Sequence, residues 1–192
     1  MTKKRGRGRA SSKRKVAICD LDGTLINTDT ALSDAFVALG IDRREITFGH
    51  VLADECVRLG LSVEDYVAAY DTTQALPFAG VTELVTSFDR WAVCSNKHPL
   101  SGRAELERLQ WFPEAALFAD AFRGPKQLTP LLEILAITPD QAIFLGDTAH
   151  DRQCALEAGV QFALAGWNPR AKPKPTDVVM SHPLEFLELL GE

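Results

Sequence analysis

"VAICDLDGTLINTD", residues 16–29, decides how the chain is read. Four apolar residues, Val16 to Cys19, run directly into Asp20 and Asp22, with Gly23-Thr24 straight after. A short unbroken apolar run is what a strand covered on both faces of a parallel sheet requires. Two carboxylates at its end repel each other unless a cation or a proton stands between them. The stretch therefore predicts a buried strand that delivers acids to a site.

Runs of the same kind recur at 91–94 (WAVC), 116–122 (ALFADAF), 142–145 (AIFL), 162–167 (FALAGW) and 177–180 (DVVM). Helical patterns fill most of the gaps. Residues 99–111 carry Leu100, Ala104, Leu106 and Leu109 near helical spacing. Residues 129–137 open with Thr129 as expected N-cap and Pro130 at the first helical position. Residues 149–159 close on Gly159, a natural C-terminal glycine. Strands alternating with helices imply an α/β layered sheet.

The first connection is much longer. Residues 30–40, 45–60 and 62–75 each carry an apolar stripe at 3.6-residue spacing, punctuated by Gly40 and Gly60. Ser62 with Asp65 resembles a helix-start box. The expected organisation is a basic tail (1–15), a core (16–26 and 80–192) and a helical insertion (27–79), with 77–81 as its return linker.

The chain has 192 residues, 46% of them hydrophobic, enough to bury a core. Eight of its 21 Lys and Arg lie in residues 1–15, which hold no acid. All 26 Asp and Glu follow, so the body is acidic. The head reads as a disordered basic tail. It is either a contact for nucleic acid or another polyanion, or a solubilising or cloning-derived extension. Cys19, Cys56, Cys94 and Cys154 are scattered, without a CxxC pair, and read as small buried residues in a reducing, cytoplasmic setting. No apolar run approaches the roughly 18–20 residues of a membrane span.

In an open α/β sheet, ligands bind beyond the carboxyl ends of the strands. Those ends collect Asp20 and Asp22, Ser95-Asn96, Lys126, and Asp147 with Asp151 one helical turn later. A hard divalent cation with oxygen ligands fits such a set, and Mg²⁺ fits best, since it takes one or two carboxylates plus waters and phosphate oxygens. Asp20 and Asp147 are the expected ligands, with the Asp22 backbone carbonyl as a third. Ser95 offers a hydroxyl hydrogen bond to a phosphate, and Lys126 a charge for a non-bridging oxygen. Backbone N–H groups of the Asp22-Gly23-Thr24 turn offer a cradle for the rest, with Asn96 beside them. Asp20, at the strand end, is the expected nucleophile. Asp22 is the expected acid and base. Asp151 is expected at the helix start, orienting Lys126 or a metal-bound water.

These motifs resemble the phosphatases of the haloacid dehalogenase superfamily. "DLDGTL" (20–25) matches the first signature, "CSNK" (94–97) resembles the second, "GPKQLTP" (124–130) the third and "GDTAHD" (146–151) the fourth. Residues 76–85 and 177–190 look like the linker and last strand of phosphoglycolate-phosphatase-like members. Four short motifs in order are far more specific than any one. The resemblance implies a Rossmann-like three-layer parallel sheet of order 5-4-1-2-3, a cap inserted after strand 1, and Mg²⁺-dependent hydrolysis of a small phosphorylated metabolite through an aspartyl-phosphate. The third motif usually reads K-P-x-P, whereas Gln127 follows Lys126 here, which questions the loop's shape more than its charge.

Several residues carry open readings. Lys97 and His98 face substrate or lie in a solvated loop. His150 reads as an exposed spacer and His50 as surface or partial core. Arg43 and Arg44 grip an anionic tail or sit in a solvated turn. Trp167-Asn168 lines the site rim or packs. The competing functions are a phosphotransferase or mutase of the same fold, and a non-catalytic nucleic-acid-binding or regulatory protein using the tail. Dehalogenation needs no acid at the second position and is disfavoured by Asp22. The chain is expected to be a monomer or homodimer.

Overall fold

The computed structural model describes residues 14–47 and 51–191. Residues 1–13 of the expected tail (1–15), and His50, lie outside the described residues. Lys15, assigned to the tail, belongs to the fold instead. Its N–H donates to the Leu190 carbonyl (3.1 Å) and its ammonium to Gln161 (2.9 Å).

The parallel sheet has six strands: β1 (Val16–Cys19), β4 (Trp91–Cys94), β5 (Ala115–Leu117), β6 (Ala142–Gly146), β7 (Gln161–Ala165) and β8 (Val178–Met180), in the spatial order β5-β4-β1-β6-β7-β8. Counting only these strands, the order is 6-5-4-1-2-3. The expected 5-4-1-2-3 is kept, and the sixth strand, from the 177–180 run, extends one edge. β1 is central, paired in parallel with β4 and β6. The apolar run at 116–122 is a strand only at its start. After Leu117 the chain folds into a 3₁₀ turn at Ala119–Ala121.

Alternate residues of β1 feed two cores. Ala17 and Cys19 pack on one face with Leu84, Leu106 and Phe186. These come from helices α4 (Val81–Ser87), α5 (Pro99–Arg108) and α8 (Glu185–Leu190). Ile18 packs on the other with Leu131, Leu135 and Ala155, from α6 (Thr129–Leu135) and α7 (Ala149–Ala158). All four β1 side chains are buried, which explains the unbroken apolar run. α6 differs slightly from expectation: Leu128 occupies the cap position and Thr129 is already helical, with Pro130 in the first turn. α7 ends as expected at Gly159 in the left-handed conformation. All four cysteines are free and buried.

The insertion stands on a neck of two antiparallel two-residue strands, β2 (Ile26–Asn27) and β3 (Leu76–Pro77). Between them lie α1 (Asp29–Ala38), α2 (Leu52–Leu59) and α3 (Val63–Ala69). The second expected helix, 45–60, begins only at Leu52. The Thr47 N–H is taken by the Glu55 carboxylate (2.8 Å), and Ile46 is extended. The third, 62–75, stops at Ala69. Tyr70 is extended, and Asp71 accepts from the Thr73 N–H (2.9 Å) to cap a separate 3₁₀ turn. The start and stop signals hold: Ser62 caps α3 through the Asp65 N–H (3.0 Å), and Gly60 closes α2 with φ +69°. Among the described residues, no helix is long and apolar enough to cross a membrane.

Candidate active site

Asp20 leaves the end of β1 with its N–H bound to the Leu145 carbonyl (2.9 Å), so the ladder to β6 continues through it. Its carboxylate meets Lys126 at 2.8 Å, and the same ammonium meets Asp151 at 2.5 Å. Asp147 leaves the end of β6. One oxygen from each of Asp20, Asp147 and Asp151 lies within 4.8 Å of the others. All three acids and Lys126 are buried.

Three buried carboxylates against one ammonium leave excess negative charge. Burial raises Asp20 to about 6, against the pull of Lys126. Burial, joined by repulsion from Asp151 and Asp20, raises Asp147 to about 8. Burial works against the Lys126 charge too, but Asp151 and Asp20 overcome it and hold the ammonium well above its ordinary value. This donor set can hold a metal ion: hard oxygen ligands, already desolvated, whose repulsion a cation would relieve.

Asp22 separates from this cluster. Its carboxylate turns to Lys97, 2.8 Å away. Lys97 is buried, so the solvated-loop reading of this residue is corrected. Its ammonium also reaches Glu105 (3.1 Å) and the Tyr70 hydroxyl (3.0 Å), while Tyr70 donates to Glu105 (2.7 Å). Burial pushes Glu105 up to about 7 against the pull of Lys97. The network joins the core helix α5 to Tyr70 of the insertion and ends on Asp22.

Gly23 and Thr24 have jobs other than the expected phosphate cradle. The Gly23 N–H donates to Ile26 (2.8 Å) and the Thr24 N–H to Leu21 (3.2 Å), so the turn closes on itself. Gly23 has φ +78°, and a Cβ there would lie 2.4 Å from Asp147 Oδ2. Thr24 donates its hydroxyl to Asp147 (3.1 Å). Asn168, just beyond β7, donates to the same carboxylate (2.8 Å) and to the Gly23 carbonyl (2.9 Å). Trp167 donates to the Thr24 carbonyl (2.9 Å). Two chain segments, the turn at Thr24 and the stretch at Asn168, thus brace Asp147.

Ser95 is buried at the end of β4. Asn96 accepts from the Lys126 N–H (2.9 Å), which fixes the lysine loop. Gln127 in the usual proline place does not displace Lys126. Asp151 caps α7 in a reciprocal box with Thr148 (2.8 Å to its N–H, 2.6 Å to its hydroxyl) as well as binding Lys126. A Cβ on Gly146 would lie 2.4 Å from that of Asp151, so only glycine lets β6 approach so closely. His150 is exposed, as expected. Arg43 is tied to Asp34 at 2.5 Å in an exposed turn.

Sequence reasoning left Lys97 and Asn168 open and did not single out Glu105 or Tyr70. A usable signal existed for Glu105: it lies on the apolar stripe of α5, one residue before Leu106. Asn168 follows a strand end, where ligand-proximal groups gather.

Residues 17–165 match the model of the haloacid dehalogenase-like hydrolase family. No curated protein gives a significant sequence match. Among solved structures, the chain is similar to a presumptive phosphoglycolate phosphatase from Lactobacillus plantarum (23% identity, 92% of this chain and 99% of that one, TM-score 0.73). It is also similar to a haloacid dehalogenase superfamily hydrolase from Geobacter sulfurreducens (24%, 94% and 99%, TM-score 0.69). A third is the L-2-haloacid dehalogenase of Xanthobacter autotrophicus (15%, 93% and 98%, TM-score 0.71). At these identities the likenesses establish a shared fold, and the family match over most of the chain goes further: this protein belongs to the haloacid dehalogenase-like hydrolases.

Proposed function

We propose that the protein is a Mg²⁺-dependent phosphatase that hydrolyses a small phosphomonoester through an aspartyl-phosphate on Asp20. The observation that carries this reading is the division of the two motif acids. Asp20 lies in the carboxylate cluster with Lys126, and Asp22 lies beside it on a separate partner, Lys97. Phosphoryl transfer by a carboxylate needs one acid as nucleophile and another to move a proton. A haloacid dehalogenase shares the fold but has no leaving-group oxygen to protonate, so Asp22 favours the phosphatase.

Mg²⁺ would be held by Asp20 and Asp147, with the Asp22 carbonyl, and would supply charge neutralisation at the phosphoryl oxygens. Lys126 adds a fixed positive charge. Ser95 donates a hydroxyl hydrogen bond to a non-bridging oxygen, and Asn96 holds the lysine loop beside it. The Asp20 carboxylate attacks phosphorus as the bond to the leaving oxygen breaks, and Asp22 gives that oxygen its proton. Asp22 then takes a proton from water, whose oxygen attacks the aspartyl-phosphate and frees Asp20 and phosphate. Asp151 orients Lys126. This work is mostly positioning and electrostatics.

The test is turnover of p-nitrophenyl phosphate with Mg²⁺, with EDTA, and in Asp20→Asn. Release that needs Mg²⁺ and vanishes in both controls supports the reading. A panel of phosphomonoesters left intact by Mg²⁺-loaded, folded protein would overturn it.

A further inference from the structure

Above the carboxylates opens a pocket of about 870 Å³. That is the upper range of drug-sized ligand sites, and far more than a phosphoryl group and a two-carbon acid would fill. Its floor is the site described above. Its far wall comes from the insertion: Leu32 and Phe36 of α1, Ile46, Leu52 of α2, and Tyr66 of α3. Phe36 and Tyr66 pack together at a tilt, with ring centroids 4.5 Å apart.

The polar groups on this wall are neutral or already paired. The Tyr66 hydroxyl is buried and has no hydrogen-bond partner among the described residues, and the Thr28 hydroxyl, which also belongs to a residue lining the pocket, is in the same state. Glu55 lines the wall and is tied to Arg58 through two hydrogen bonds (2.8 and 2.6 Å). Among the described residues, the insertion presents no unpaired cation to the pocket. A carboxylate or second phosphate on the leaving group would meet apolar carbon and the Glu55 carboxylate, with its hydration lost. The cations that do line the pocket come from the core: Lys97 and Lys126 are paired with the acids of the floor, Arg152 with Asp177 and Arg170 with Asp29, while Lys172 and Lys174 are exposed on the loop after β7.

We infer that the substrate is the phosphomonoester of a large, uncharged, mostly apolar alcohol, whose body packs on the Leu32-Phe36-Ile46-Leu52-Tyr66 wall. The Tyr66 hydroxyl offers one neutral hydrogen bond to that body. This inference rests on the phosphatase reading for the position of the phosphate and deepens it by naming the substrate class. It sets the protein apart from enzymes that act on small phosphorylated acids.

The experiment measures two things on the Mg²⁺-loaded full-length protein. Calorimetry gives Kd for methyl-, butyl- and hexylphosphonate and for a carboxylate-tipped hexylphosphonate. Kinetics gives kcat/KM for the matching alkyl phosphates, whose leaving-group basicity changes little with length. The expected result is roughly fourfold tighter binding and higher kcat/KM per added methylene, with the carboxylate tip losing most of that gain. Leu52→Arg, at a half-buried position that tolerates change, should flatten the series and reverse the tip preference. A flat phosphonate series, or preference for the carboxylate tip in the unmodified protein, overturns the inference. Hydrolysis of butyl phosphate alongside a flat series leaves the phosphatase reading standing. A length-dependent phosphonate series with no alkyl phosphate hydrolysed supports the pocket assignment and overturns the phosphatase reading.

Discussion

The Lys97 ammonium lies 2.8 Å from the Asp22 carboxylate and 3.1 Å from Glu105, and is itself buried. Removing one partner from a buried pair leaves an uncompensated charge and costs about 3–5 kcal/mol. Lys97→Met should therefore lower the melting temperature sharply and leave Asp22 without its anchor. The double variant Lys97→Met/Glu105→Gln should recover most of the stability, because neither buried charge remains. It should not recover kcat, because Asp22 is still unheld. Thermal melts and steady-state kinetics on the three proteins check this. Full recovery of both quantities would reduce the network to a structural role.

The raised acids make metal-free stability depend on pH. A carboxyl whose folded value lies above its unfolded value binds its proton more tightly in the native state. The stability it contributes is complete below the unfolded value, near 4, and is lost as pH rises through the folded value. For Asp20 that window closes at about 6, and for Asp147 at about 8. In EDTA, the melting temperature should fall between pH 5 and pH 8.5. Saturating Mg²⁺ should raise it more at pH 8 than at pH 5.5, since the ion competes with the protons. Asp147→Asn should flatten the upper part of the EDTA profile. A melting temperature in EDTA that rises over this range would contradict the charge balance of the cluster.

Gly23→Ala combines two penalties at one atom. The residue needs φ +78°, and the new Cβ would lie 2.4 Å from Asp147 Oδ2. The backbone conformation alone costs on the order of 1–3 kcal/mol outside glycine. Relief of the contact would push Asp147 away from Asp20. The expected outcome is a destabilised protein whose residual activity needs more Mg²⁺, read from Mg²⁺ titrations of turnover. An unchanged Mg²⁺ requirement would show that Asp147 does not take up the displacement.

The sheet was legible because burial on both faces writes itself into sequence. β1, β4 and β6 are unbroken apolar runs and β7 is apolar after Gln161, and the acids at the ends of β1 and β6 follow from where such sheets bind ligands. The ends of the helices in the insertion were less legible. There, a side chain such as Glu55 or Asp71 captures a backbone N–H that a helix would otherwise use, and nothing in the apolar spacing reports that. Lys97 was unreadable for a related reason. A lysine three residues past a strand end looks solvated, and only Asp22, Tyr70 and Glu105, brought from three other segments, bury it.

Asn168 offers the last test, because it touches no expected substrate atom and yet holds both the Gly23 carbonyl and Asp147. Partners behind a metal ligand fix its orientation, and their loss typically weakens metal binding about 10–100-fold. Asn168→Ala should raise the Mg²⁺ concentration needed for half-maximal turnover by a factor in that range, with kcat at saturating Mg²⁺ largely restored. Direct calorimetry of Mg²⁺ binding should show the same loss without any substrate present. Asn168→Asp should be worse than alanine, since it adds a fourth carboxylate to a buried cluster already short of positive charge. Equal Mg²⁺ affinity in all three proteins would place the hold on Asp147 with Thr24 alone.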